Sequence, residues 1–231
     1  PMKISVLVPV YNEAQTILTL LKKVQETGMA DEVIVIDDGS SDGTQEILKT
    51  IPREAPYTII FQGKNAGKGS AIREGLKHLS GDIVIIQDAD LEYDPKDYPR
   101  LIEPILAGKA DIVYGSRWLN RGLTKVPFNM FRVGRWIVTM LTNILYGVWL
   151  TDESCGYKVF RTSVIKSIPL RCMRFEFCPE ITAKVLRRGY TIYEVPAHYT
   201  PRSIKDGKKI TYRDGWQAIR TLIKYRFSDN P

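Results

Sequence analysis

The chain has few of the residues that staple or metallate small folds. Among 231 residues there are three cysteines, Cys155, Cys172 and Cys178, and two histidines, His78 and His198. No two cysteines form a C-x-x-C pair, and an odd count in a chain of this length excludes a disulfide framework. Two histidines leave no Cys/His zinc set. Reduced thiols in a cytoplasmic protein are the expectation. Long apolar runs are missing as well. The charge-free stretch Trp136–Leu150 is interrupted by Thr139, Thr142, Asn143 and Gly147, and it falls short of the about 20 residues a membrane-spanning helix needs. A buried or membrane-surface helix is expected there. The N-terminus enters a strand-like run at once, without a signal-peptide pattern. No Ser/Gly-rich linker, low-complexity tract or internal repeat divides the chain, so residues 2–231 read as one domain.

What is present is an excess of positive charge. Lys and Arg number 33 against 26 Asp and Glu, a net charge of +7. That balance fits an anionic partner: a nucleic acid, a membrane surface or a phosphorylated ligand. No recognition helix or RNA motif is evident, so no nucleic-acid partner is expected.

Short runs rich in Val and Ile occur at Lys3–Val10, Glu32–Asp38, Tyr57–Gln62, Asp82–Gln87 and Asp111–Tyr114. They read as strands buried on both faces. Helix-like segments lie between them. The first places Ile17, Leu20, Leu21 and Val24 on one face and stops at Gly28. The alternation predicts an α/β fold with an open, mostly parallel sheet and helices on both faces. Such sheets bind ligands beyond the C-terminal ends of their strands. The second half is less regular: a helix over Phe128–Leu150, a strand in "CGYKVFR", a helix in "EFCPEITAKVLRRG", a strand in "TIYEVPAHY" and a terminal helix in "YRDGWQAIRTLIKYRF".

At one predicted ligand edge the chain reads "GDIVIIQDADLEYDP", residues 81–95. If the backbone stays extended, alternation brings Asp88, Asp90 and Glu92 close together. Packed carboxylates repel unless a cation separates them, and hard oxygen ligands suit Mg²⁺ or Mn²⁺ holding substrate phosphates. The competing reading is turn chemistry before a helix cap, a role that fits Asp94 ahead of Pro95. Asp37 and Asp38 end the second strand, where an acid can accept a ribose hydroxyl; turn chemistry in "DDGSSDGT" is the alternative. "GKNAGKGSAI" carries Lys64 and Lys68 but is neither a P-loop nor G-x-G-x-x-G. NTPase and dehydrogenase readings weaken accordingly.

The segments "SVLVPVYNEAQTI", "VIVIDDGSSDGT", "NAGKGSAIREG", "GDIVIIQDADLEYDP" and "DIVYGSRW" occur in this order. Together they resemble the catalytic domain of family 2 glycosyltransferases, in the dolichyl-phosphate mannose synthase-like, polyprenyl-phosphate branch. The resemblance covers about residues 3 to 200. It implies a GT-A fold, Rossmann-like with a mixed sheet, in which about 3–117 forms a nucleotide-sugar-binding half and about 118–231 an acceptor-side half. It implies inverting transfer of a hexose from a nucleotide sugar, GDP-mannose or UDP-glucose, to a polyprenyl phosphate. Pro9, Tyr11 and Glu13 would contact the nucleotide, with Asp37 and Asp38 near its base or ribose. Lys68 lies in the donor loop. Asp88, Asp90 and Glu92 correspond to the metal motif, with Asp90 and Glu92 as the direct ligands; Asp88 and Ala89 would also contact substrate, as would Arg202, and Arg117 would face phosphates or acceptor. A developing diphosphate charge is stabilised by a metal with Lys or Arg nearby. A phosphate acceptor is already an anionic nucleophile, whereas a sugar hydroxyl needs a base; Asp152, Glu153 and Glu180 are the base candidates.

After residue 150 the match loosens. "TDESCGYKVFR" departs from D-x-x-S-G-F at Cys155 and Tyr157. "PRSIKDGKKI" keeps the charge at Arg202, Lys208 and Lys209 with longer spacing than the family's Arg-x-x-Gly-x-Ser-Lys, so phosphate binding and a solvated basic loop both stay open. Residues 128–150, flanked by Arg132 and Arg135, offer an apolar surface for peripheral contact with the cytoplasmic face of a membrane; core packing beneath the acceptor site is the alternative. A saccharide or glycolipid hydroxyl acceptor, and a binding subunit without turnover, remain competing readings.

Overall fold

The structure is a computed structural model that describes residues 2–52, 56–123, 130–202 and 211–228. Seven strands form one sheet: β1 Ile4–Val10, β2 Glu32–Asp37, β3 Tyr57–Phe61, β4 Ile83–Ile86, β5 Ile112–Ser116, β6 Lys158–Arg161 and β7 Tyr193–Pro196, in the order β3-β2-β1-β4-β6-β5-β7. The five apolar runs of the first half become β1 to β5. All pairings are parallel except those of β6, which runs antiparallel between β4 and β5. The antiparallel strand comes from the second half of the chain, so both halves share one sheet.

Helices cover the two faces: α1 Ile17–Glu26, α2 Thr44–Lys49, α3 Lys68–Leu76, α4 Tyr98–Leu106, α5 Met130–Tyr146, α6 Thr162–Ser167, α7 Phe177–Arg187 and α8 Tyr212–Phe227. The apolar stripe Ile17, Leu20, Leu21 and Val24 is the buried side of α1. α3 lies close on the opposite face: a Cβ added at Gly75 would stand 2.1 Å from the Leu7 Cδ1, so only glycine permits that approach. β1 is buried along its whole length, and β4 likewise, as central parallel strands require. β3 differs from its expectation. It is the edge strand, half-buried to exposed, because one flank has no neighbour.

α6 has no counterpart in the sequence reading, since six residues carry too little periodicity to register. α5 begins at Met130; the residues expected to start it at Phe128 lie outside the described residues, as do Lys208 and Lys209. The helix buries only Val138, Thr139 and Thr142. α8 pairs with it through Val138, Leu222 and Tyr225. Among the described residues, no helix is long and apolar enough to cross a membrane.

Candidate active site

The strand order reverses between β1 and β4, with β2 and β3 on one side and the rest on the other. Crevices at such switch points bind ligands beyond the strands' C-terminal ends. The sequence places "YNE" after β1 and "QDADLE" after β4. Among the described residues only Asn12 (φ 50°) and Leu91 (φ 60°) carry positive φ without being glycine, one in each loop. A left-handed Leu is costly and is held by its surroundings. The acidic segment is therefore not extended, as the alternation argument assumed. Asp90 Oδ1 accepts from Glu92 N at 3.1 Å across the turn, and this turn rather than strand alternation gathers the acids.

Each acid there has a protein partner. Lys68, the first residue of α3, is ion-paired with Asp88. Burial works against the Lys68 charge, but Asp88 outweighs it and the ammonium sits above its ordinary pKa. Asp90 Oδ2 lies 3.3 Å from the Arg202 guanidinium. Its carboxyl is pushed up to about 7, first by burial, then by the Asp88 and Glu92 charges, with Arg202 opposing. Glu92 accepts the Tyr199 hydroxyl at 3.0 Å and Arg202 N at 2.7 Å. Arg202 also grips Glu13 with two nitrogens, at 2.9 and 3.0 Å. The donor set, three crowded carboxylates, has the chemistry of a hard divalent-cation site. Among the described residues, however, no three acids, thiols or imidazoles converge as an ion cage. Asp94 caps the turn Pro95–Asp97 by accepting from Lys96 N, the capping role read from the sequence.

On the other side of β1, the paired aspartates divide their work. Asp38 accepts Ala66 N at 2.8 Å and Gly67 N at 2.7 Å. It ties down the loop before α3, and burial holds its carboxyl above the usual range against those bonds. Gly39 lets the two loops touch: a Cβ there would meet Asn65 N at 2.6 Å. Both Asp38 oxygens are spent on backbone, which does not fit the expected ribose contact. Asp37 fits it better. It is fully buried, Oδ2 takes Gln45 Nε2 at 2.7 Å, and Oδ1 has no partner among the described residues. Gln62 Oε1, next to Asp37 through the 2.8 Å backbone bond of Gln62 N to Asp37 O, is also buried without a partner. Buried orphan acceptors are costly unless a ligand supplies donors. Gln62 was not singled out in the sequence; an amide at a strand end carries no signal of its own. Pro9 lies buried in β1 and Tyr11 is half-buried just past its end. Ala89 packs into the core.

Across β4, Arg117 and Asp152 form a buried two-pronged pair, Nε to Oδ2 at 2.6 Å and Nη2 to Oδ1 at 2.7 Å; Arg117 N adds a third bond at 3.0 Å. Asp152 is thus committed to Arg117, an engagement that weighs against the base expected there. The Arg117 guanidinium lies 5.0 Å from the centre of the Tyr199 ring. Arg135, half-buried on α5, has an Nε without a partner among the described residues. Its pKa is lowered first by burial and then by the positive charge of Arg117. Glu180, the other acid expected as a base, is engaged in the same way. Fully buried, it accepts Arg171 N, Cys172 N and Lys184 Nζ, each at 2.8 Å, and Tyr225 OH at 2.9 Å. Four donors make it a structural tie between α7, α8 and the preceding loop, with Oε1 taking three of them. Glu153 is buried with a raised pKa, from desolvation first, and bonds Thr182 and Ser154 at 3.1 Å. Tyr199 touches both Glu92 and Arg117, and no local pattern marked it.

The glycosyl transferase family 2 profile matches residues 5–168. Undecaprenyl-phosphate 4-deoxy-4-formamido-L-arabinose transferases of Salmonella paratyphi B and Salmonella newport are each 34% identical over 214 residues, covering 89% of this chain and 62% of theirs. This chain therefore spans under two thirds of the length of those relatives. Among solved structures, glucosyl-3-phosphoglycerate synthase from Mycobacterium tuberculosis superposes with a TM-score of 0.74 at 22% identity, covering 99% of this chain and 80% of that one, in a complex with Mn²⁺, UDP and phosphoglyceric acid. The same enzyme bound to UDP alone gives 0.76 at 21% identity, covering 97% and 80%. The seven-stranded sheet is that of the GT-A glycosyltransferases. With five motifs at the ligand edge of such a sheet and a profile match over most of its length, the chain belongs to glycosyl transferase family 2.

Proposed function

We propose that the chain is an inverting glycosyltransferase that moves a sugar from a nucleoside diphosphate donor to a polyprenyl phosphate. The observation that carries the acceptor is Arg135. Its buried Nε has no partner, and it is crowded by the Arg117 charge. A buried guanidinium nitrogen left without a partner near Arg117 calls for an acceptor, and a phosphate monoester is the anion such forks match. The undecaprenyl phosphate in the relatives' names supports the same acceptor. So does the engagement of Asp152 and Glu180, since an anionic nucleophile needs no protein base.

On the donor side, Asp37 Oδ1 and Gln62 Oε1 would take nucleoside donors, with Pro9 and Tyr11 alongside. Asp88 and Asp90 are the residues to hold Mg²⁺ or Mn²⁺, with Glu92 as a third. Mn²⁺ and UDP in the M. tuberculosis complex support that assignment. A bound divalent cation would neutralise the charge developing on the departing diphosphate. Lys68 beside Asp88 adds positive charge at the same place. GDP-mannose and UDP-glucose both stay in the donor panel. The Salmonella relatives are named as transferases of an arabinose derivative, so a pentose donor joins them. Residues 3–117 form the donor half in this reading, and 118–231 the acceptor half.

The acceptor half also carries a surface for a lipid. α5 exposes Trp136, Met140 and Ile144, α8 exposes Tyr212, Trp216, Ile223 and Phe227, and Trp149 is 89% exposed. These positions recur at helical spacing on each helix, and tryptophans suit a membrane interface. Arg132 is held 5.0 Å over the Trp118 ring. Arg135→Gln tests the acceptor assignment. It should raise the KM for undecaprenyl phosphate by at least about tenfold, the loss of one charged contact, and leave donor affinity unchanged. An unchanged lipid KM would contradict it.

A further inference from the structure

Arg202 stands where the acidic loops after β1 and β4 face each other. Its guanidinium bridges Glu13 from the first loop and Asp90 from the second, at 2.9 and 3.0 Å to Glu13 and 3.3 Å to Asp90. Its backbone N holds one oxygen of Glu92 at 2.7 Å, and Tyr199 three residues earlier holds the other at 3.0 Å. The segment from Tyr199 to Arg202 is therefore strapped across Glu13, Asp90 and Glu92. Its side chain is 17% exposed, so the pairs are shielded from bulk water. Glu92 has no carboxylate oxygen without a protein donor in this arrangement, and Asp90 shares its Oδ2 with a cation.

Building on the divalent-cation reading above, we propose that Arg202 is the resident counter-cation of the acidic site and competes with the divalent ion for Asp90. An ion bound to Asp90 Oδ2 at about 2.1 Å would stand near a guanidinium nitrogen that is 3.3 Å from the same oxygen. Like charges at that spacing repel strongly in a half-buried setting. The ion and the bridging arginine exclude each other at Asp90. The geometry also orders the grip: the two-pronged contact with Glu13 is the anchor, and the single longer contact with Asp90 is the one that yields. Arrival of the cation thus releases the Asp90 end of the strap and turns a positive side chain loose beside the diphosphate. Glu92 serves as the latch for the strap, and it joins the ligand set only once Tyr199 and Arg202 let go.

The test reads metal binding itself, without donor or turnover. Mn²⁺ is titrated into the 231-residue chain, followed by electron paramagnetic resonance of the free ion, for wild type, Arg202→Gln, Arg202→Lys and Asp90→Asn. Arg202→Gln should bind Mn²⁺ about tenfold tighter than wild type, the scale of one charge-assisted contact. Arg202→Lys, which keeps the charge but loses the two-pronged grip on Glu13, should fall between them. Binding that vanishes in Asp90→Asn yet is equal or weaker in both Arg202 variants would overturn the competition and leave the metal site standing. No Mn²⁺ binding by any form, with or without UDP or GDP, would overturn the metal site and the competition together.

Discussion

The two flanks of the ligand edge treat charge in opposite ways. Between β1 and β4 acids are in excess, and the protein lends them cations: Lys68 to Asp88, Arg202 to Asp90 and Glu13. Beyond β4 a buried guanidinium is set against its acid: Arg117 is matched by Asp152, while Arg135 beside it keeps a buried nitrogen without a partner among the described residues. In the proposed function the first flank exchanges a protein cation for an arriving one and the second accepts an anion, a reading that needs both polarities within one sheet edge. The GT-A topology supplies this by running β6 antiparallel between β4 and β5, which delivers Asp152 and its neighbours to the same edge.

Breaking the second flank gives the largest expected effect on stability. Arg117→Met leaves Asp152, fully buried, without its partner and should cost about 3–5 kcal/mol by urea denaturation. Adding Asp152→Leu should recover most of that loss, because removing both charges removes the unpaired one. Glu180→Gln should cost about 1–3 kcal/mol, since Lys184 is 0% exposed and loses its charged partner. The kcat of the folded variant should stay within a few-fold of wild type, whereas loss of a catalytic base would collapse kcat with donor binding kept.

The acid-rich flank has a pH signature. The Asp90 carboxyl rises from 3.8 to about 7 on folding, so between those values the folded state binds more protons than the unfolded one. Its contribution is fully present below about pH 4 and is lost as pH rises through about 7. In the metal-free protein, thermal melts should show a stability decline over that window that Asp90→Asn flattens. The smallest effect on stability is expected from Trp136→Ser with Trp216→Ser, both exposed: within about 0.5 kcal/mol. Co-sedimentation with anionic vesicles should nevertheless fall several-fold.

The same contrast explains what the sequence made legible. β1 to β5 and the buried face of α1 follow from local apolar patterning, and the acids sit at strand ends because strands end where apolar runs end. The engagement of Asp152 is hidden from the sequence because its partner is remote, and that of Glu180 because it joins near neighbours, Arg171, Cys172 and Lys184, to a distant tyrosine. Arg117 is 35 residues from Asp152, and Tyr225 is 45 from Glu180. Asp37 and Asp38 are adjacent, and only the fold shows that one faces the loop before α3 while the other keeps an oxygen without a partner. The left-handed Leu91 is invisible to any propensity, since Leu disfavours it.

The measurement that tests the account most directly follows labelled sugar from donor into organic-extractable undecaprenyl phosphate. Purified chain, Mn²⁺ or Mg²⁺, and a panel of GDP-mannose, UDP-glucose and a UDP-pentose should give label in the lipid phase with one donor. Asp90→Ala should reduce it by at least about 10³-fold, with circular dichroism unchanged. Transfer that persists in Asp90→Ala, or donor turnover that proceeds at full rate without the lipid phosphate, would contradict the pairing of an acid-rich donor flank with an arginine-rich acceptor flank.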